Sequence, residues 1–394
     1  VYLRNTRTGE MRLVSRGTDG LPAAGSSIAT GISADGRFLV FESDAANLVP
    51  EDDNNANDIF LFDREASSLL LLSRGLGVPA NGDSTGAMIT SDGRFVLFES
   101  EADNLAAGDE NGAVDLFRFD RDSGQIELVT ANADNSGSAL ANATSFSPAL
   151  SPDGRWAAFI TTATNVVSGL VQTNAQLILR DLDAMTNLHV SRQPDGTPDQ
   201  YAASPAFSGD GLTLAYISGY VISIPRYTHP DVDGYLGGYD LAHTELALYS
   251  ISDGSRSMAP LPPGSPDGFE VTEFAIDQAG QSIAYAVQTT EEIPISRRAI
   301  ENWLLYRYDR PAATNHLILE TTNTTASGSR QLDQVSISAD GQVTTFVTEI
   351  LGAGRAQLYV HRRDTGAIKL LSRNSQGSPA DEVPNASVLS ADGS

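Results

Sequence analysis

A chain of 394 residues and 41.7 kDa has room for one large domain or two or three ordinary ones. At 41% hydrophobic and 19% charged residues it can bury a core. Fifty acidic residues against 25 basic ones give a formal charge of -25, which argues against a nucleic-acid partner and against anionic membrane surfaces. No run of 18 apolar residues is present, so no membrane-spanning helix is expected. The absence of cysteine removes disulfides, thiolate zinc sites and cysteine nucleophiles.

The chain starts at Val1, so a removed leader or a longer parent chain is expected. Of the basic residues only Lys369 is lysine, a bias that fits a high-GC bacterial genome or a saline setting. Residues Val1–Arg16 align without gaps on Ile59–Arg74, with Tyr2 on Phe60 and Ser15-Arg16 on Ser73-Arg74. A turn signature then recurs. It reads Ser33-Ala34-Asp35-Gly36-Arg37-Phe38, then Ser91-Asp92-Gly93-Arg94-Phe95, then Ser151-Pro152-Asp153-Gly154-Arg155-Trp156. Weaker copies follow, and the anchors of all seven fall at positions 35, 92, 153, 210, 279, 340 and 392. A spacing near 60 held through seven anchors marks an internal repeat.

Each repeat reads as four short strands. An apolar run precedes the Asp-Gly turn, where glycine accepts a positive φ and aspartate bonds nearby backbone. An alternating run follows, such as Phe38–Phe41, and then a polar loop. A third run such as Ile59–Phe62 and a fourth such as Leu69–Leu72 close the unit, often on Ser-Arg. Repeat five has Ala279 where the aspartate is expected. A helical turn is expected only over Ser296–Asn302.

Four antiparallel strands at a fixed period imply an all-β chain, a β-propeller of four-stranded blades. The Ser-x-Asp-Gly-Arg turn, the Phe-x-Val/Leu-Phe run and the later Asp-Arg step resemble the TolB-like (WD-like) propeller repeat over essentially the whole chain. The expectation is six complete blades in one domain, 1–394. A seventh, composite and incomplete blade is closed by residues 1–16 and 385–394. The counterparts of residues 38–58 would be missing from it, as from a truncated chain. The expected setting is periplasmic, cell-surface or secreted.

Strand parity puts the Asp-Gly turns on one face, and the longer, variable second-to-third-strand loops on the other, where binding is expected. Asp53, Asn55 and Asp58 in loop one, and Asp109, Asn111 and Asp115 in loop two, share an Asp-x-Asn element and a later aspartate. Clustered oxygens suit calcium; the same residues also suit Asx turns, and the distal glutamate of an EF-hand is lacking. Repeat three has lost these acids. The largest insertion, Gly219–Thr244, carries Tyr227, His229, Asp231, Asp233, Tyr235 and Tyr239. It reads as an aromatic loop for a sugar or peptide, with Asp231 and Asp233 as a further cation turn, or as plain decoration.

Catalytic patterns fail on context. Gly82-x-Ser84-x-Gly86 leads into a strand rather than a helix. His189, His229, His243, His316 and His361 lack zinc-type spacing, although His229 and His243 share the insertion. The reading is a non-catalytic scaffold binding a protein or glycan, with no cofactor beyond calcium. The alternatives are a carbohydrate lyase or hydrolase, or the propeller part of a larger peptidase.

Overall fold

The computed structural model describes the chain except residues 6–7, 51, 76–77, 107–108, 110, 133–140, 171–173, 194, 225–238, 263–264, 266–268, 294–297, 324–331, 349–355, 374–377 and 380–394. For 221–224, 239–242, 290–293, 298–301, 322–323 and 333 it describes the backbone alone. The described residues are all-β, with no helix. They fall into two compact units, Val1–Arg192 and Gln193–Ser394.

The first unit opens with a pair, β1 (Tyr2–Arg4) and β2 (Met11–Leu13). Blade 1 is β3 (Ser27–Ile32), β4 (Phe38–Ser43), β5 (Asp58–Asp63) and β6 (Ser68–Leu71). A small ladder, β7 (Arg74–Gly75) with β8 (Val78–Pro79), leads on. Blade 2 is β9 (Ser84–Ile89), β10 (Phe95–Ser100), β11 (Asp115–Asp120) and β12 (Gln125–Leu128). Blade 3 is β13 (Ser145–Leu150), β14 (Trp156–Thr161), β15 (Gln176–Asp181) and β16 (Thr186–His189).

The second unit holds three more sheets in the same order. Blade 4 is β17 (Tyr201–Phe207), β18 (Thr213–Ile224), β19 (Tyr239–Ser250) and β20 (Arg256–Met258). Blade 5 is β21 (Phe269–Ile276), β22 (Ser282–Ile293), β23 (Arg298–Asp309) and β24 (Thr314–Asn323). Blade 6 is β25 (Asp333–Ile337), β26 (Val343–Thr348), β27 (Gln357–Arg362) and β28 (Ala367–Leu370). All neighbouring strands are antiparallel, so six complete blades stand as expected. Residues 298–302 are strand, not helix, because they pair with β22 from Ile293 to Thr289. The closing pair also forms: Val14 donates to the Val1 carbonyl at 2.9 Å, as Leu72 does to Ile59 at 2.7 Å. Residues 385–394 lie outside the described residues.

Second strands are buried along most of their length, and within each unit neighbouring blades pack on one another. Phe38, Val40, Ile59 and Leu61 of blade 1 meet Val96, Phe98 and Phe117 of blade 2. Leu97 and Leu116 of blade 2 meet Ala157, Phe159 and Ile178 of blade 3. In the second unit Ile217 and Leu248 meet Phe269 and Tyr285, and Trp303 and Leu305 meet Phe346 and Tyr359. Each such side chain contributes about 1.5–3 kcal/mol by leaving water.

The Asp-Gly turn is a hydrogen-bonded unit. Ser33 Oγ donates to Asp35 at 2.6 Å, Asp35 accepts the Arg37 N–H at 2.9 Å, and the Phe38 N–H donates to Ser33 Oγ at 2.9 Å. Thr90 takes the serine's part in blade 2. In repeat five Asp277, not position 279, accepts the Gln281 N–H at 2.8 Å, so the turn survives its missing aspartate. Arg37, Arg94 and Arg155 leave their turns to pair with Asp63, Asp120 and Asp181 at 2.7–3.0 Å, which explains the Asp-Arg step. The turn glycines have φ of 64–72° in these three blades. A Cβ on Gly93 would strike the ring of Phe38, and one on Gly154 the ring of Phe95.

Gly93→Ala and Gly154→Ala are therefore expected to cost about 2–4 kcal/mol each. The left-handed backbone accounts for about 1–2 and the displaced ring for the rest. Gly124→Ala, at φ 69° with open space around it, should cost only the first part. Urea unfolding midpoints test this, and equal losses at all three positions would remove the ring contact from the account.

Candidate functional site

In each described blade the longer loops between second and third strands sit at the end opposite the Asp-Gly turn. In blade 1 Asp58 opens β5 and is fully buried. Its two oxygens accept Ser73 Oγ at 2.5 Å and Asn54 Nδ2 at 2.8 Å, and Ser73 Oγ accepts the Ile59 N–H at 3.0 Å. Blade 2 repeats this with Asp115, Thr130 and Asn111 at 2.5 and 2.7 Å. Blades 3 and 6 keep the cap with a carboxamide: Ser191 donates to Gln176 at 2.9 Å and Ser372 to Gln357 at 2.6 Å. The Ser-Arg ending of the fourth strand thus supplies the hydroxyl that ties it to the third.

Geometry pairs the two acidic loops one residue away from the sequence alignment. Asn54, not Asn55, is the counterpart of Asn111, since both amides reach the buried aspartate four residues on. Asp52, buried like Asp109, is the counterpart of Asp109, while Asp53 and Asn55 are exposed. With that pairing the two loops have equal spacing, and the residue after each asparagine takes a positive φ, 56° at Asn55 and 63° at Gly112. Burial raises the Asp58 and Asp109 carboxyls to about 6, with Ser73 and Asn54 opposing the rise at Asp58 and the Asp115 charge adding to it at Asp109. For calcium the fit is partial. Asp52 Oδ1 is buried without a donor, but both amides turn their nitrogens to the aspartates and use their oxygens on Ala56 and Ala113 N–H. Among the described residues no three His, Asp or Glu side chains converge as metal ligands would.

Asp115→Ala is expected to cost about 2–3 kcal/mol in urea unfolding, because it strands the Thr130 hydroxyl and the Asn111 amide in a dry site. Calcium is expected to leave the wild-type melting temperature unchanged. A calcium-dependent rise that Asp115→Ala abolishes would give the loops to a cation instead.

Beside loop one lies a cavity of about 380 Å³ lined by Ser26, Ile28, Glu42, Asp44, Asn55, Asn57 and Asp83. Glu42 accepts the Gly86 N–H at 3.3 Å, and Glu99 accepts the Ser147 N–H at 3.0 Å, each tying a blade to the bulged first strand of the next. Sequence reasoning missed both glutamates. Their signal was the Phe-Glu-Ser ending shared by β4 and β10.

The Gly219–Thr244 insertion is not a loop along its arms. Gly219–Ile224 pairs with Tyr239–Thr244 and doubles the six-residue strand length of blades 1–3 and 6. Tyr239 lies in β19. Tyr227, His229, Asp231, Asp233 and Tyr235 lie outside the described residues. At the base of the arm the Tyr220 ring packs on His243 at 4.9 Å, and His243 Nε2 lies 3.4 Å from Glu245. Blade 5 carries a second such arm, Gln288–Ile293 with Arg298–Trp303, which no spacing argument had singled out. Beneath the first arm Asp199, fully buried, accepts Ser218 and Arg256 at 2.8 Å each and Gln193 at 2.6 Å.

The remaining histidines serve separate places. His316 is exposed on β24 and His361 is buried on β27. His189 Nε2 meets Gln176 at 2.8 Å, and its Nδ1 accepts Arg192 Nε at 2.9 Å. Burial, reinforced by Arg192, lowers His189 to about 4. The neutral ring belongs to the fold, so stability should fall as pH drops from about 6.5 to about 4, by about 2–3 kcal/mol. The raised carboxyls of Asp58 and Asp109 work in the opposite direction over the same window. The test is therefore the difference between the wild-type and His189→Gln pH–stability curves, and a flat difference would refute the assignment.

No model of a known protein family matches the chain, and no curated protein matches it. Among solved structures it is similar to an oligogalacturonate lyase in complex with manganese, at 13% identity over 95% of this chain and 84% of that one, with a TM-score of 0.52. It is similar also to the oligogalacturonate lyase of Vibrio parahaemolyticus, at 13% identity over 100% and 91%, with a TM-score of 0.53. The chain is a β-propeller. TolB from Acinetobacter baumannii matches 88% of this chain and 63% of its own at 13% identity and a TM-score of 0.39. At such identity the likeness to the lyases concerns the fold and carries neither activity nor ligand. Among the described residues no helix is long and apolar enough to cross a membrane.

Proposed function

We propose that the chain is a TolB-like binding propeller acting outside the cytoplasm, and that it grips a protein or glycan on the ends of its blades opposite the Asp-Gly turns. The observation that carries this reading is the pair of arms on blades 4 and 5. Two adjacent blades of one unit each have second and third strands of 12 residues, twice the six residues of the regular blades. Function in repeat scaffolds sits on such departures from the repeat, because the uniform turns are committed to holding the blades. Tyr220 and Tyr201, both exposed by more than 40%, stand at the base of the blade 4 arm and offer faces for stacking.

Excision of residues 220–243, with Gly219 joined to Thr244 through Asn-Gly, tests the reading. The two-residue turn closes the hairpin at the length of the other blades. The variant is expected to melt within a few degrees of wild type and to lose at least tenfold in affinity for the glycan or envelope protein that wild type selects on an array. Undiminished affinity would move the binding surface elsewhere. The lyase alternative is settled on the same preparation: binding of oligogalacturonate without release of unsaturated product supports the scaffold, and turnover overturns it.

A further inference from the structure

Between blades 5 and 6 a buried positive charge lacks its counter-ion. Arg307 lies on β23, on the face that carries Trp303 and Leu305 into the apolar contact with Phe346 and Tyr359. His361 lies two residues beyond Tyr359 on β27 and so continues the same contact from the other side. Arg307 is 6% exposed and His361 8%. Arg307 Nε is buried with no acceptor, and the guanidinium makes no ion pair or hydrogen bond to any described residue. Asp309, two residues on, lends Arg307 its charge from a distance, but its carboxylate is held by Arg363 at 2.6 Å.

Blade 2 shows what the position requires. Arg118 occupies the same place on β11, two residues before the aspartate that ends the strand. Its cross-strand neighbour on β12 is Glu127, which pairs with it at 2.5 Å, and it donates to the Gly154 carbonyl of the next blade. In blade 5 the cross-strand neighbour is His316. Arg118, Arg180 and Arg256 also hide an Nε without an acceptor, but each keeps another partner; Arg307 keeps none.

We propose that Arg307, with His361 beside it, forms a binding site for an oxyanion, a phosphate or a carboxylate, seated between blades 5 and 6. A guanidinium presents paired donors that match two neighbouring oxygens of either group. The electrostatics agree: burial and then the Arg363 charge depress the Arg307 guanidinium, and burial and then Arg307 depress His361. A bound anion relieves both. The site stands apart from the blade 4 arm, so it neither needs nor tests the partner reading above.

The test uses the whole protein in chloride, inorganic phosphate and acetate at one ionic strength. Phosphate or acetate, whichever is the ligand class, is expected to raise the melting temperature by several degrees more in wild type than in Arg307→Met. The comparison removes the general stabilisation that phosphate gives any protein. In chloride the methionine variant should melt at or above wild type, since it deletes an uncompensated buried charge. The same anion should raise the titration midpoint of His361, read from its ring-proton NMR signal in wild type, which keeps the test open if the variant fails to fold. An equal shift in both proteins, or an unmoved His361 midpoint in both anions, would overturn the proposal.

Discussion

The seat beneath the Asp-Gly turn, formed at Gly93, Gly154, Gly280 and Gly341, is the constraint on which the blade stacking depends. The glycine has a positive φ, which other residues resist, and its missing side chain makes room for the first residue of the previous blade's second strand. Phe38 lies under Gly93 and Phe95 under Gly154; in the second unit Thr213 lies under Gly280 and Ser282 under Gly341. One residue therefore performs a local and a long-range task. The turn forms from its own serine and aspartate, and the adjoining blade is indexed to it by steric fit. A substitution at the glycine fails twice, which is why the motif persists even in repeat five, where the aspartate has moved to position 277.

The arginine after the glycine extends the same device. Arg37, Arg94 and Arg155 each lie over the aromatic ring that follows them, at 4.5–5.0 Å, and reach the aspartate ending the third strand. These pairs are partly exposed, so their ion-pair energy is small. Their geometric value is larger, because a planar guanidinium fixed by a ring and a carboxylate sets the angle between turn and strand. At the other end of the blade the hydroxyl after the fourth strand caps the third. The two ends thus use different chemistry, charge and ring at one, buried hydroxyl and carboxyl or carboxamide at the other.

Much of this was legible in the sequence, because the repeat makes each local signal appear several times. The turns, the four-strand period and the closing alignment of Val1–Arg16 followed from residue identity and spacing alone. The acidic loops were legible as places, not as geometry. Asp53-x-Asn55 and Asp52-x-Asn54 both satisfy an Asp-x-Asn pattern, and only the buried reach to Asp58 decides between them. The arms of blades 4 and 5 were hidden for another reason. Strand lengthening adds residues such as Val221-Ile222-Ser223-Ile224, which alternate no more clearly than a decorated loop, and pairing with a distant partner is what makes them strand.

Repetition also exposes what departs from it. Position by position, a repeat supplies its own control: Glu127 tells what a buried arginine at the end of a third strand needs, and His316 marks where that need is unmet. Neither residue is unusual by itself, and a single blade would give no reason to compare them. A buried guanidinium is costly unless it is paired, and the cost is borne where a ligand can repay it on binding. The departures at Arg307 and in the long arms both fall in the second unit, whereas the arginine–ring–aspartate pattern runs through all three blades of the first. Within this chain the regular repeats hold the scaffold, and the irregular ones are where a ligand has reason to act.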